Sequence, residues 1–341
     1  MENTVGVVTF VGIDAHMENC SIKAINMQGK AVLKVDVSTD KRQLQKALGN
    51  LPGPCWVMLE STFIAAFVKE CIEHTVARVI VCDTRENRLV SQSENKGDQL
   101  DAARLARLLR MGEFKEVYVP KGIHRDRLEV LRLYGKLQGD VARTKNRLKG
   151  KFREHGINTK GSKVYGPKRG SYIDQITRPA IKSALLVIYN KLDNDKAARS
   201  DVLKQLVNLV KDTREYKVLI TLPGVGKIRG ATLATIIFDG SRFDTKRQLW
   251  SYAGLGISSR WSGSPDRAQI RGSKTGNRLL KYTALSAAGN AVQGDNRFSR
   301  HYNKMLEDGV KPSNAKRTVA RQILATALVM LKKGVEYKEQ T

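Results

Sequence analysis

The sequence predicts an α/β domain with a mixed sheet, followed by a largely helical region. Three observations carry this. Residues 1–120 alternate short apolar, β-branched runs with amphipathic ones. From residue 121 onward, apolar residues recur at helical spacing. The charge also divides there: residues 1–120 hold 15 Lys/Arg and 15 Asp/Glu, whereas residues 121–341 hold the remaining 45 basic and 18 acidic residues and so the whole net charge of +27.

The opening run "VGVVTFVGIDAH" is apolar and β-branched and reads as a buried strand ending near Asp14. "CSIKAINMQGKAVLKVDV" alternates around "MQGK" and predicts a hairpin turning at Gly29. "STDKRQLQKAL" begins with capping residues and turns helical. "CWVMLE" is a short strand ending on Glu60, "FIAAFVKECIE" a helix, "ARVIVCD" another strand, and Asn95 to Arg110 a helix. The order β-β-β-α-β-α-β-α implies a mixed sheet with helices packed on it. Two of its strands carry an acid at their carboxyl ends, where open α/β sheets place their sites.

In the basic region, Leu128, Leu131, Leu137, Val141, Leu148 and Phe152 predict a long helix of coiled-coil character, a dimerisation or spacer arm. The stretch Val141 to Gly170 holds ten Lys/Arg and one Glu, and "GINTKGSKVYGPKRGSY" has the Gly, Ser and Lys content of a mobile loop. Helices resume at about 179–212. "LITLPGVGKIRGATLATII" then places a Gly-rich turn between two helical segments, and helical sequence runs from about Gly276 to about Lys333. The expected domains are therefore 1–120, a helical arm with a basic loop over 121–212, and a helical domain over 213–341.

A cationic surface on this scale faces a polyanion, and nucleic acid fits best. No apolar run reaches the roughly 18–20 residues needed to span a bilayer, and no signal-peptide pattern opens the chain. A soluble, intracellular protein without membrane partners is expected. Cys20, Cys55, Cys71 and Cys82 show no CxxC spacing and read as inert, buried thiols in a reducing compartment. The five histidines form no HxxxH or HExxH pair, and a zinc site is not expected.

Asp14, Glu60 and the pair Asp98/Asp101 are the candidate chemistry. Asp14 and Glu60 each end an apolar strand, and Asp98 and Asp101 share one face of a helix. Converging carboxylates repel unless a cation sits between them. Mg²⁺ is the natural choice, since it takes oxygen ligands and is shared with substrate phosphates. For Asp98 the bland reading is an acid favoured by the helix dipole; for Asp101, a surface partner of Arg104. Downstream, Gly224, Gly226 and Lys227 form a turn whose backbone N–H groups could hold a phosphate, or a plain helix–helix turn. Between Arg260 and Lys281 lie six basic residues and one acid. Arg260, Arg267, Arg271, Lys274 and Arg278 are candidate nucleic-acid contacts there.

The blocks "VGIDAH", "MLEST", "KGDQLDAARLARLL", "LPGVGKIRGATLATII", "LWSYAGLGISSRWSG" and "RGSKTGNRLLKYTALSAA" occur together and in order. In this the chain resembles the DEDD-type transposases of the insertion-sequence-110 family, which include pilin-gene invertases. The resemblance covers about residues 5–335. It implies a RuvC-like, RNase H-type amino-terminal domain whose DEDD acids, here Asp14, Glu60, Asp98 and Asp101, hold Mg²⁺. It implies a nucleophilic serine in an "SG" step after the "AGL" block, here Ser262, which cuts and rejoins DNA through a covalent phosphoserine link. It also implies a guide (bridge) RNA pairing with donor and target DNA, and dimers joining into tetramers with acids and serine from different subunits. On spacing alone Ser258, Ser259, Ser262 and Ser264 are equal candidates, and the basic loop 158–175 belongs to no recognisable block. The competing readings are a RuvC-like nuclease that resolves junctions by hydrolysis, and a non-catalytic binder of DNA or RNA.

Overall fold

The computed structural model describes residues 9–83, 98–260, 269–272 and 275–339. The chain divides into two compact units, Met1–Pro120 and Lys121–Thr341.

In the first unit, β1 (Thr9–Ala15), β2 (Asn19–Asn26) and β3 (Ala31–Ser38) form an antiparallel meander. Its second turn uses Gly29 at φ +80°, a conformation open to glycine at little cost. Helix α1 (Lys41–Gly49) follows, its first amides capped by the Asp40 carboxylate. Strand β4 (Cys55–Glu60) returns parallel to β1, and after α2 (Ala65–Ile72) strand β5 (Arg78–Cys82) pairs parallel with β4. The sheet order is β3-β2-β1-β4-β5, the mixed arrangement of an RNase H-type sheet. Every residue of β1 is buried because it is central and covered on both faces, whereas edge strand β3 alternates between exposed and half-buried positions.

One face packs Val11, Ile13, Val57, Leu59, Val79 and Val81 against Leu44, Leu48, Val68 and Ile72 of α1 and α2. The other packs Phe10, Met58, Ile80 and Cys82 against Leu105, Ala106, Leu108 and Leu109 of α3 (Asp98–Met111). All four cysteines are free and buried. Burial pushes their thiols up, Cys82 to about 11, so thiolate chemistry is suppressed.

The second unit is mainly helical. Helix α4 (Gly122–Glu154) and α6 (Pro179–Val210) form a long antiparallel hairpin. The apolar stripe that predicted an arm is covered by this partner within the same chain. Val141, Leu148 and Phe152 pack with Leu185, Tyr189 and Leu192 in the distal half, and Leu131 and Tyr134 with Val202 and Leu206 in the proximal half. Thr144 Oγ1 donates to Asp195 Oδ2 at 2.7 Å across the pair.

The connection between these helices is more ordered than its composition predicted. It contains a 3-10 turn at Lys163–Tyr165 and a short helix α5 (Arg169–Ile173). Buried Ile157, Val164 and Ile176 plug it into the hairpin core, and Tyr189 donates from its hydroxyl to the Val164 carbonyl at 2.8 Å.

Beyond the hairpin, α7 (Arg214–Leu219), α8 (Lys227–Ile237), α9 (Lys246–Tyr252), α10 (Arg278–Ala291), α11 (Arg297–Glu307) and α12 (Pro312–Lys333) close around one core containing Leu233, Ile237, Leu280, Ala287, Ile323 and Leu324. The long carboxy-terminal helical stretch is thus three helices. Asn296 caps α11 with both halves of a capping box and so starts a new helix after α10. The basic stretch also forms a two-stranded hairpin that its periodicity did not announce, β6 (Ile257–Arg260) with β7 (Gln269–Gly272).

Candidate metal centre and nucleic-acid contacts

Asp14 sits at the carboxyl end of β1, opposite Ser21 of β2. Its residue is 8% exposed. Burial raises its pKa, His16 works against that rise, and the nearby charges of Asp98 and Asp101 reinforce it. His16 Nε2 lies 3.3 Å from Asp14 Oδ2 and 3.8 Å from Asp98 Oδ1. One potential ligand atom from each of Asp14, His16 and Asp98 falls within 4.8 Å of the others.

This convergence depends on how α3 lies on the sheet. Gly12 is the residue of β1 facing α3 one step before Asp14, and a Cβ there would overlap the Ala102 carbonyl and the Ala106 amide. Only glycine lets the helix come that close. A second tether fixes the helix start: Gln99 Nε2 donates to Asp36 Oδ1 at 2.5 Å, and the same oxygen accepts from Ser21 Oγ at 2.5 Å. These hydrogen bonds, Ser21's first, hold the Asp36 carboxyl below its ordinary range. Asp36 is therefore a strut for α3.

The four predicted acids have different surroundings. Asp14 and Asp98 meet, with Asp101 close enough to act on Asp14 electrostatically. Asp101 Oδ1 also accepts from Arg104 Nη1 at 2.6 Å, the partnership its spacing suggested. Glu60 ends β4 directly after Leu59, whose register partner on β1 is Ile13. Alternation therefore gives it the same sheet face as Asp14, although the close Asp14–His16–Asp98 group does not include it. His16 was missed in the sequence because no metal-binding spacing contains it. Its signal was its place two residues after a strand-terminal acid.

The donor set fits a divalent cation. Two carboxylates approach one point, one of them buried with a raised pKa, so a cation bound there would relieve both their repulsion and the cost of that burial. Carboxylate oxygens suit a hard ion such as Mg²⁺. Imidazole nitrogen is a better ligand for softer metals; His16 shares a hydrogen bond with Asp14 and lies 3.8 Å from Asp98.

In the second unit, Gly224 has φ +78°, and a Cβ there would lie 2.2 Å from the Ala287 carbonyl oxygen. Close packing on α10 accounts for this glycine. Arg229 braces the same turn, donating to Gly224 O at 3.2 Å and Ser286 Oγ at 3.1 Å. Gly226 is the N-cap of α8 and is exposed with Lys227, so the first amides of that helix point outward. Arg278 is the exposed first residue of α10. Arg260 pairs in register with Gln269, and Arg271 with Ser258. Ser262, Arg267 and Lys274 lie outside the described residues.

Comparisons with known proteins agree across both units. A family model described as a transposase, the DEDD type of IS110, matches residues 11–156. A second, described as the transposase IS116/IS110/IS902 family, matches residues 216–303. The chain is 29% identical over 210 residues to a mini-circle protein assigned as the transposase for IS117 of Streptomyces coelicolor, covering 59% of this chain and 49% of that one. It is 27% identical over 165 residues to the uncharacterized 43.6 kDa protein of insertion element IS110 from the same organism, covering 48% of this chain and 39% of that one. The matches therefore span half or less of those relatives' length. With the acid-bearing sheet in one matched segment and the Gly-rich turn in the other, the chain belongs to the IS110 family of transposases.

Proposed function

We propose that this chain is a DNA recombinase that cuts and rejoins the strands of an insertion sequence. The observation that carries this reading is the meeting of Asp14 and Asp98, with Asp101 beside them, at the carboxyl end of the central strand. Asp14, Glu60, Asp98 and Asp101 would hold Mg²⁺. When bound there, the ion would polarise a phosphodiester and lower the cost of charge developing on its oxygens.

The nucleophile in this reading is Ser262. Its Oγ forms a bond to phosphorus as the bond from phosphorus to one sugar oxygen breaks. The hydroxyl proton leaves, and the departing sugar oxygen takes up a proton. The reverse attack by a sugar hydroxyl of another strand restores a phosphodiester, so no ATP is needed. Lys227, Arg260, Arg267, Arg271, Lys274 and Arg278 would neutralise DNA phosphates, with Gly226 at the helix N-terminus offering main-chain N–H groups to one and Gly224 shaping the turn. The family resemblance supports the remaining parts: a guide RNA that selects donor and target, a homodimer joining into a tetramer with acids and serine from different subunits, and action in the bacterial cytoplasm on nucleoid DNA.

The test is Ser262→Ala with donor and target DNA, Mg²⁺ and co-purifying RNA. Covalent protein–DNA adducts and recombinant product are expected to disappear while RNA binding persists. Cleavage that continues without adducts would instead identify a nuclease acting by hydrolysis.

A further inference from the structure

The basic connection at the far end of the α4–α6 hairpin has a function that the recombinase reading leaves open. Its cations fall into two groups. Lys145 and Lys149 lie over the Tyr165 ring at 5.1 and 5.3 Å. Arg169 pairs with Asp193 at 2.5 Å, and Lys151 with Glu154 at 2.7 Å. These charges are used within the hairpin. Arg153 and Lys160 are exposed and have no carboxylate partner among the described residues. Both line a cavity of about 540 Å³ together with Lys149, Gly156, Asn158 and Thr159.

The cavity is built by the fold. Lys149 Nζ donates to the Gly161 carbonyl at 2.8 Å and closes the loop over it. The Asn158 side chain accepts from the Lys160 amide at 3.1 Å, fixing the turn that carries Lys160. Ile157 and Val164 anchor both sides in the hairpin core. The last α4 carbonyls would repel an anion, but Phe152 O accepts from the amides of His155 and Ile157, and Arg153 O from that of Gly156. Thr159 is 4% exposed, and its Oγ1 has no hydrogen-bond partner among the described residues. A buried hydroxyl without a partner is uncommon in a finished protein interior, and here it borders a cationic cavity.

We propose that this cavity is a subsite for a phosphate of a nucleic-acid backbone, held by Arg153 and Lys160 with Lys149 keeping the loop closed. The inference rests on the reading that the chain works on nucleic acid. It adds where, in the second unit rather than the acid-bearing first, a backbone is gripped. The cavity offers charge and main-chain groups without an aromatic stacking surface of its own, so it suits a phosphodiester better than a base.

The experiment is a salt titration of binding by the full chain, using a fluorescent duplex DNA and a fluorescent hairpin RNA as separate probes. The double variant Arg153→Gln/Lys160→Gln is compared with Lys204→Gln/Lys211→Gln, which removes the same charge from exposed positions in α6 and at its carboxyl end. The first is expected to weaken binding about tenfold and to reduce the slope of log affinity against log salt by about one, with little change in the second. Loss on the RNA probe alone assigns the phosphate to RNA, loss on the duplex alone to DNA, and loss on both to either backbone. Equal behaviour of the two double variants overturns the subsite and leaves the recombinase reading standing. If the unaltered chain binds neither probe, both fall.

Discussion

A Cβ built on Gly12 would stand 2.0 Å from the carbonyl oxygen of Ala102, so β1 and α3 meet backbone to backbone with no side chain between them. That contact sets the height of α3 above the sheet and hence the distance from Asp98 to Asp14. Gly12→Ala is expected to destabilise the unit by about 1–3 kcal/mol through overpacking and to abolish cleavage. Chemical denaturation and a strand-cleavage assay check this. An unchanged denaturation midpoint would show that α3 is not held where the geometry puts it.

Burial raises the pKa of Asp14, with Asp98 and Asp101 adding to the rise. Its charge is therefore a cost to the fold when no cation is present. Asp14→Asn should melt at a higher temperature than the unaltered chain in chelator, yet lose any rise in melting temperature on adding Mg²⁺. His16→Ala should retain that rise, because the ion takes oxygen ligands. Differential scanning calorimetry with and without Mg²⁺ measures all three, and an Asp14→Asn variant that still responds would remove Asp14 from the metal set.

His124 supplies a pH dependence separate from the acids. It is 2% exposed, its Nε2 lies 2.9 Å from the Thr235 carbonyl, and its ring stacks on Phe238 with centroids 4.3 Å apart. Burial is the main cause of its lowered pKa, with Arg242 and Arg127 contributing. A histidine that resists protonation when folded contributes stability above its ordinary value of 6.5, and that contribution is lost as pH falls through the depressed value. The second unit should therefore lose stability on acidification below 6.5, before the carboxylates titrate. His124→Phe should lower stability at neutral pH by about 1 kcal/mol through the lost hydrogen bond and flatten that part of the profile. Melting temperature against pH for both proteins measures the effect, and identical slopes would rule His124 out as its source.

The glycines of the 223–227 turn should separate by role. Gly224→Ala meets the Ala287 carbonyl and a left-handed φ, so it should unfold part of the helical core. Gly226 has φ −83°, and a Cβ there would meet Arg229 Nη1 at an ordinary contact distance of 4.0 Å. Gly226→Ala should fold, and any loss of DNA affinity it shows reports on the turn itself. Circular dichroism paired with a binding titration distinguishes the two, and a well-folded Gly224→Ala would contradict the packing argument.

Much of the first unit was legible because its strands announce themselves twice. Val11, Ile13, Val57 and Leu59 are apolar where a buried strand must be, and each run ends on an acid. The cap at Asp40 and the turn at Gly29 were readable because those residue types relieve specific backbone costs. His16 escaped notice because a lone histidine carries no spacing signal. The loop after α4 looked mobile because its polar composition hides the few anchors, Ile157 and Val164, that decide its order.

The sequence by itself determined the strands and helices of the first unit, the acids that end two of those strands, and that the positive charge follows residue 120. These are local or additive properties: periodicity, propensity and charge sum along the chain. Only the tertiary structure decided that α4 spends its apolar stripe on α6 of the same chain, and that α3 settles onto Gly12 so that Asp98 reaches Asp14. An amphipathic face states that a partner is required but does not name it, because many surfaces would bury it equally well. Close packing of one backbone on another selects among them.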